Sequence, residues 1–221
     1  MIAPDRNTCQ RKQDAQMMVA SGLSGYQVCT FSLFMQGCTD IMKHSYRIIG
    51  MTLLLLLLGG CDGNTPLMDK VMHDKLDQAR KLLDQGAAVD ARNNYGWTAL
   101  MHAARVGNRD LVEILLDHGA NINVQDDAGI SPLMRATIKG HVEVVKLLLA
   151  RGAEVNLRDK SGNSALHWAA NRGQVMIVKL LLAAGADFTT PNEQGISPMA
   201  MATGKGHNDI MLMLRKMGAR E

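Results

Sequence analysis

The sequence predicts an all-α fold, a solenoid of five stacked helix-turn-helix units with hairpin-like loops. Three series of residues predict it. Gly63, Gly96, Gly129, Gly162 and Gly195 fall 33 residues apart, and Gly86, Gly119, Gly152, Gly185 and Gly218 do the same. Gly107, Gly140, Gly173 and Gly206 form the third series, with Asp74 in its first slot. Three series in one phase over five units mark an internal repeat. A repeat array grows one unit at a time, so the length of 221 residues sets no domain count.

The third unit shows how each element arises. Ser131 stands beside Pro132, the pairing of a hydroxyl cap with a residue suited to the first helical position. Gly140 supplies the left-handed backbone that ends a short helix. A second helix follows, in which Val144, Leu147 and Leu148 share one face, and Gly152 stops it. Asp126 to Gly129 form the turn that enters the unit. So small a unit cannot bury its own apolar face, and stacking on its neighbours does so. The predicted units are about 62–92, 93–125, 126–158, 159–191 and 192–221. The first and last read as caps. Asp69, Lys70, His73 and Asp74 make the first unit's opening helix polar, and the last unit stops just past Gly218-Ala219 without beginning another loop.

The period and five short words resemble the ankyrin-repeat family. The words are Thr65-Pro66-Leu67-Met68, Thr98-Ala99-Leu100-Met101, Ser131-Pro132-Leu133-Met134, Ser164-Ala165-Leu166-His167 and Ser197-Pro198-Met199-Ala200. The family's histidine at the fourth place remains only as His167. In the family it bonds to neighbouring loops, so the methionines imply less rigid junctions between units. The resemblance covers about 160 residues. It implies a protein-binding module, with contacts made by the loop tips and by the concave face of the first helices.

Composition fits this and excludes other classes. Hydrophobic residues make up 47% of the chain and aromatic ones 4%, which suits a helical core of Leu, Ala, Val and Met. Residues 61–221 hold 19 Lys+Arg against 18 Asp+Glu, so the basic excess of a nucleic-acid binder is missing. Cys9, Cys29, Cys38 and Cys61 show no metal-binding spacing, and no metal or cofactor is expected. No Ser/His/Asp set, HExxH or phosphate loop is present, so no catalytic residue is predicted. His141 and His207 sit at equivalent places in the repeat and are expected to be structural.

The N-terminal part has a different character. Residues 1–41 show no sustained period and are expected to be unstructured, or an upstream extension ahead of a true start at Met42. Residues 42–60 run from Lys43 and Arg47 through an apolar stretch, Ile48 to Leu58, to Gly59-Gly60, the three-part layout of a secretory signal. The stretch is too short for a membrane span. Leu58-Gly59-Gly60-Cys61 resembles the lipobox of bacterial lipoproteins, which implies cleavage before Cys61 and lipid attachment to its sulfur. A buried apolar helix with a coincident cysteine, or an uncleaved anchor, are the alternatives. Asp62 resembles an inner-membrane retention signal. The resemblance implies an anchored protein facing the periplasm, with the ankyrin-type domain at 61–221. The competing expectation is a soluble cytoplasmic or secreted interaction protein.

Phase then nominates contact residues. Tyr95, Trp97 and Ile130 fall at loop tips, where large side chains commonly anchor interfaces. The two residues before each mid-unit glycine fall on the concave line, and among them are Arg105, Lys139, Arg172 and Lys205, with no carboxylate in those slots. The pattern predicts a groove for an acidic protein surface with an aromatic anchor at one end.

Overall fold

The computed structural model describes residues 62–218, within the compact unit Asp62–Glu221. The expectations for residues 1–41, for the signal at 42–60 and for Cys61 lie outside the described residues.

Ten helices are present among the described residues, two per unit. The first helices are α1 (Pro66–Met72), α3 (Ala99–Val106), α5 (Pro132–Lys139), α7 (Ala165–Asn171) and α9 (Pro198–Gly204). The second helices are α2 (Leu76–Asp84), α4 (Arg109–Asp117), α6 (Val142–Ala150), α8 (Val175–Ala183) and α10 (Asn208–Lys216). First helices pack on the first helices of adjacent units, and second helices on second, so two helical layers run the length of the stack.

The repeat phase dictates what is buried. Ala103, Ala136, Ala169 and Ala202 occupy one slot of the first helices and are fully buried. Leu115, Leu148, Leu181 and Leu214 do the same in the second helices. In unit one these slots are looser. Lys70 stands in the alanine slot and is half-buried, and Gln78 stands where Leu111 and Val144 are buried. At the other end Ala200 is exposed in the slot where Met134 and His167 are buried. The burial pattern is therefore looser in the first and fifth units.

Caps start the first helices, with one exception. The hydroxyls of Thr65, Ser131 and Ser197 accept from backbone N–H groups three residues on. Ser164 forms a reciprocal cap with His167, whose Nδ1 accepts from the Ser164 N–H at 3.2 Å. The hydroxyl of Thr98 caps nothing and has no partner, although it is fully buried.

The loop tips form a ladder of their own. Each begins with a buried Asn or Asp: Asn93, Asp126, Asp159 and Asn192. The Oδ1 of each accepts two backbone N–H groups, two and four residues ahead, as Asp126 does from Ala128 and Ile130 at 2.9 Å. That bond pair folds the turn. Successive tips are then joined by backbone bonds, among them Asp127 N–H to the Tyr95 carbonyl and Lys160 N–H to the Ala128 carbonyl. Gly129 shows how close the tips come. Its φ is +78°, and a Cβ there would lie 2.9 Å from the backbone nitrogen of Lys160. Asp74 holds the left-handed conformation (φ 57°) that glycine holds in the other units, and its carboxylate accepts from Asn108 Nδ2 in the next unit.

Candidate functional site

The first helices enter directly from the tips, so their early turns and the tip residues line one surface. Between units one and three this surface opens into a cleft of about 610 Å³. Its walls include Met72, Tyr95, Trp97, His102, Arg105 and Arg135, with Asp62 and Asp127 also contributing. Trp97 is the centre of the cleft. The Arg135 guanidinium lies 3.9 Å from its ring centroid and the Arg105 guanidinium 5.7 Å from it, both cation–π contacts. The His102 ring packs on the same indole with centroids 4.9 Å apart.

One register position explains these contacts. His102, Arg135, Trp168 and Met201 follow the fourth place of the signature in successive units, nine residues after each tip Asn or Asp. Where the tip residue is an aspartate, its second oxygen accepts from that position. Arg135 donates to Asp126 Oδ2, and Trp168 Nε1 donates to Asp159 Oδ2 at 3.0 Å. Where the tip residue is asparagine, its amide turns to the previous unit instead. Asn93 Nδ2 donates to Asn64 Oδ1 and Asn192 Nδ2 to Asn163 Oδ1, both at 2.8 Å. His102 is consequently left with neither ring nitrogen bonded, although it is only 4% exposed. Burial, and then the charges of Arg105 and Arg135, push its pKa down to about 4, so the ring is neutral at pH 7.

Arg105, Lys139, Arg172 and Lys205 all end first helices. Arg105 and Lys139 lie in the last turns of α3 and α5, and Arg172 and Lys205 are the C-caps of α7 and α9. Cations there complement the helix dipoles. All four are exposed, and none has an ion-pair partner among the described residues. On the second-helix layer Arg109, Lys146 and Arg151 are paired with Glu113, Glu143 and Asp117, while Arg80, Lys81, Lys179, Arg215 and Lys216 have no ion-pair partner among the described residues. The four are not strictly equivalent. Lys139, Arg172 and Lys205 share one register slot, which Val106 fills in unit two and leaves 40% exposed. Arg105 stands one place earlier and turns back over Trp97, so it belongs to the cleft as much as to the line.

The whole repeat pattern matches the family model for ankyrin repeats in three copies, over residues 17–126 and 133–220. A second ankyrin-repeat model matches 107–149. The chain belongs to the ankyrin-repeat family. No curated protein matches it. An ankyrin array is a protein–protein interaction scaffold, and that general role holds for this chain.

The remaining nominated residues are placed as follows. Tyr95 is 47% exposed at a tip. Ile130 is half-buried and packs against the core, so only part of it faces outward. Asp62 is exposed, at the start of the described residues. Three histidines bond across units. His141 Nε2 donates to the Arg105 carbonyl at 3.0 Å and His207 Nε2 to the Asn171 carbonyl at 3.2 Å. His118 donates from both ring nitrogens, to the Ile114 carbonyl and to Asp84, and its pKa is raised. Burial lowers that of His167. The Ser164 hydroxyl lies 2.9 Å from His167 Nδ1, but that nitrogen already accepts the Ser164 N–H, so the pair is a helix cap. Among the described residues no group of three or more His, Cys, Asp or Glu is disposed to hold a metal.

Residue phase alone missed Arg135, His102 and the tip residues Asn93 and Asp126. The signal for them was present: Arg135 and His102 lie 33 apart, as do Asn93 and Asp126, and the first set stands nine positions after the second.

Proposed function

We propose that this ankyrin-repeat protein is a lipid-anchored envelope protein that binds an acidic partner protein through its first-helix surface. Arg105, Lys139, Arg172 and Lys205 supply the charge, and Tyr95, Trp97 and the outward part of Ile130 supply the anchor. A scaffold for an envelope enzyme, or an inhibitor or immunity-type binder, both fit this build. The observation that carries the reading is the set of four exposed cations that end successive first helices, none with an ion-pair partner among the described residues. Unpaired charge held on rigid helix ends favours a partner of opposite sign. The anchor rests on the signal-like residues 42–60 and the lipobox-like Leu58-Gly59-Gly60-Cys61, and Asp62 favours the inner membrane, facing the periplasm.

Two measurements test it together. Radiolabelled palmitate should enter the wild-type protein and be lost in Cys61→Ala; absence of label in the wild type removes the anchor and favours a soluble protein. The Arg105→Glu/Arg172→Glu double variant should lose partner capture from solubilised membranes at least tenfold, with helicity and melting unchanged. Capture at the wild-type level removes the groove.

A further inference from the structure

The second helices turn one face outward, whose positions recur at i, i+3, i+7 and i+8 in each unit. In units one to three the first and last of these positions are polar or charged. The first is Asp77, Asp110 and Glu143 in turn, and the last is Gln85, His118 and Arg151. In unit four the first becomes Met176 and the last Ala184, and in unit five the last becomes Met217. Both positions are exposed in every unit, so the exposure belongs to the position and not to the end of the stack. Leu212 likewise stands where the other units carry Arg80, Glu113, Lys146 and Lys179. Met176 is 55% exposed, Leu212 50% and Met217 47%, three of the five large apolar side chains exposed among the described residues. α8 departs furthest from the pattern. Lys179 is its only charged residue, so its outward side is nearly as apolar as the side it buries. A helix apolar all round is ordinarily covered on both sides.

The charge on this face has one dominant sign. α2, α4 and α6 all carry carboxylates, whereas α8 carries none and α10 only Asp209, in its first turn. Lys179, Arg215 and Lys216 are exposed on the same two helices, which pack side by side. A second copy of the chain would bring the same three cations against them. Protein contacts are commonly anchored by aromatic side chains, and Tyr95 and Trp97 belong to the tips and the first-helix surface instead. Flexible aliphatic and thioether side chains among lysines and arginines suit a lipid surface. They enter the boundary between headgroups and acyl chains in any register, while the cations meet anionic headgroups. Among the described residues no helix is long and apolar enough to cross a membrane, so the contact is with the surface.

We infer that the outward face of α8 and α10 is a docking surface for an anionic lipid bilayer. It goes beyond the acyl anchor proposed above and does not need it. The first helices form the other layer, so a chain seated this way keeps Lys139, Arg172 and Lys205 turned to the aqueous side.

The test uses the full chain as Cys61→Ala, so that no acyl group holds it, with carbon-13 at the methionine methyls. The membrane is bicelles of phosphatidylcholine and phosphatidylglycerol in equal parts, with a spin-labelled headgroup lipid added. Met176→Leu, Met201→Leu and Met217→Leu assign the signals. Met176 and Met217 should lose several-fold more intensity than Met201, which is half-buried on the first helix of unit five. That order reports which face meets the lipid, whatever else in the chain also binds it. Bicelles of phosphatidylcholine alone, or the Lys179→Gln/Lys216→Gln variant, should remove most of the difference, since each cation near an anionic surface is worth about fivefold in binding. Arg105→Glu/Arg172→Glu should keep it, which separates this face from the acidic-partner groove. Equal loss at the three methionines, greatest loss at Met201, or no loss at any overturns the inference. So does a dimer formed without lipid and dissociated by Leu212→Glu, which gives the face to a second copy.

Discussion

His102 shows how one side chain can couple the site to pH. Its folded pKa is about 4, against 6.5 for the free side chain. Protons therefore bind the unfolded chain more readily, and stability present above pH 6.5 is lost as pH falls toward 4. Each pKa unit is worth about 1.4 kcal/mol, so the loss approaches about 3 kcal/mol across that window. His167, also lowered by burial, acts in the same direction. His118 opposes it, since its raised pKa gives stability that is present below 6.5 and lost as pH rises through its folded value. Urea midpoints measured between pH 7 and pH 4 should fall for the wild type, and His102→Gln should flatten that fall. The cause of the depression can be tested separately. Asn93→Asp gives unit two the carboxylate that units three and four already use, so His102 should titrate well above 4 when followed by proton NMR.

At the scale of the element, the tips are the constrained part of each unit. Gly129→Ala forces a Cβ into the left-handed region and to within 2.9 Å of the Lys160 backbone. Gly119→Ala at φ +82° meets nothing within 4 Å, so it bears the backbone cost alone, about 1–2 kcal/mol. Chemical denaturation should therefore show Gly129→Ala losing more stability than Gly119→Ala, and equal losses would mean that the tips are not held at close range. These glycines were legible in the sequence because a left-handed backbone leaves few other choices, and the helices were legible because their caps and apolar faces repeat. The looser first unit could be read in the same way, from the polar opening helix that holds Lys70. The cleft was less legible. Arg135, Trp168 and His102 share a position, yet their partners are chosen by whether the tip nine residues back is Asp or Asn, a choice visible only when the ladder is seen. Arg105 was recognised as a cation at a helix end, but its turn over Trp97 depends on Val106 filling the slot that its lysine and arginine counterparts use.

Across the whole molecule the charges matter by position more than by total. The domain is almost neutral, while four successive first helices end in exposed cations that have no ion-pair partner among the described residues. Partner capture should accordingly weaken as salt rises from 0.1 M to 1 M, where the screening length falls from about 10 Å to about 3 Å. Melting should change little over the same range, since exposed pairs contribute at most about 1 kcal/mol each. Binding indifferent to salt would move the docking surface away from the cations. The asparagine links at the tips carry a different implication, for how such a chain could be rearranged by recombination. Asn64 with Asn93 and Asn163 with Asn192 each weld two adjacent units through side-chain amides, whereas Asp126 and Asp159 close within their own units. Excising unit one or unit five alone would strand an amide that its neighbour now satisfies, so the smallest portable blocks at either end are pairs, and only the central unit could be gained or lost without breaking such a weld.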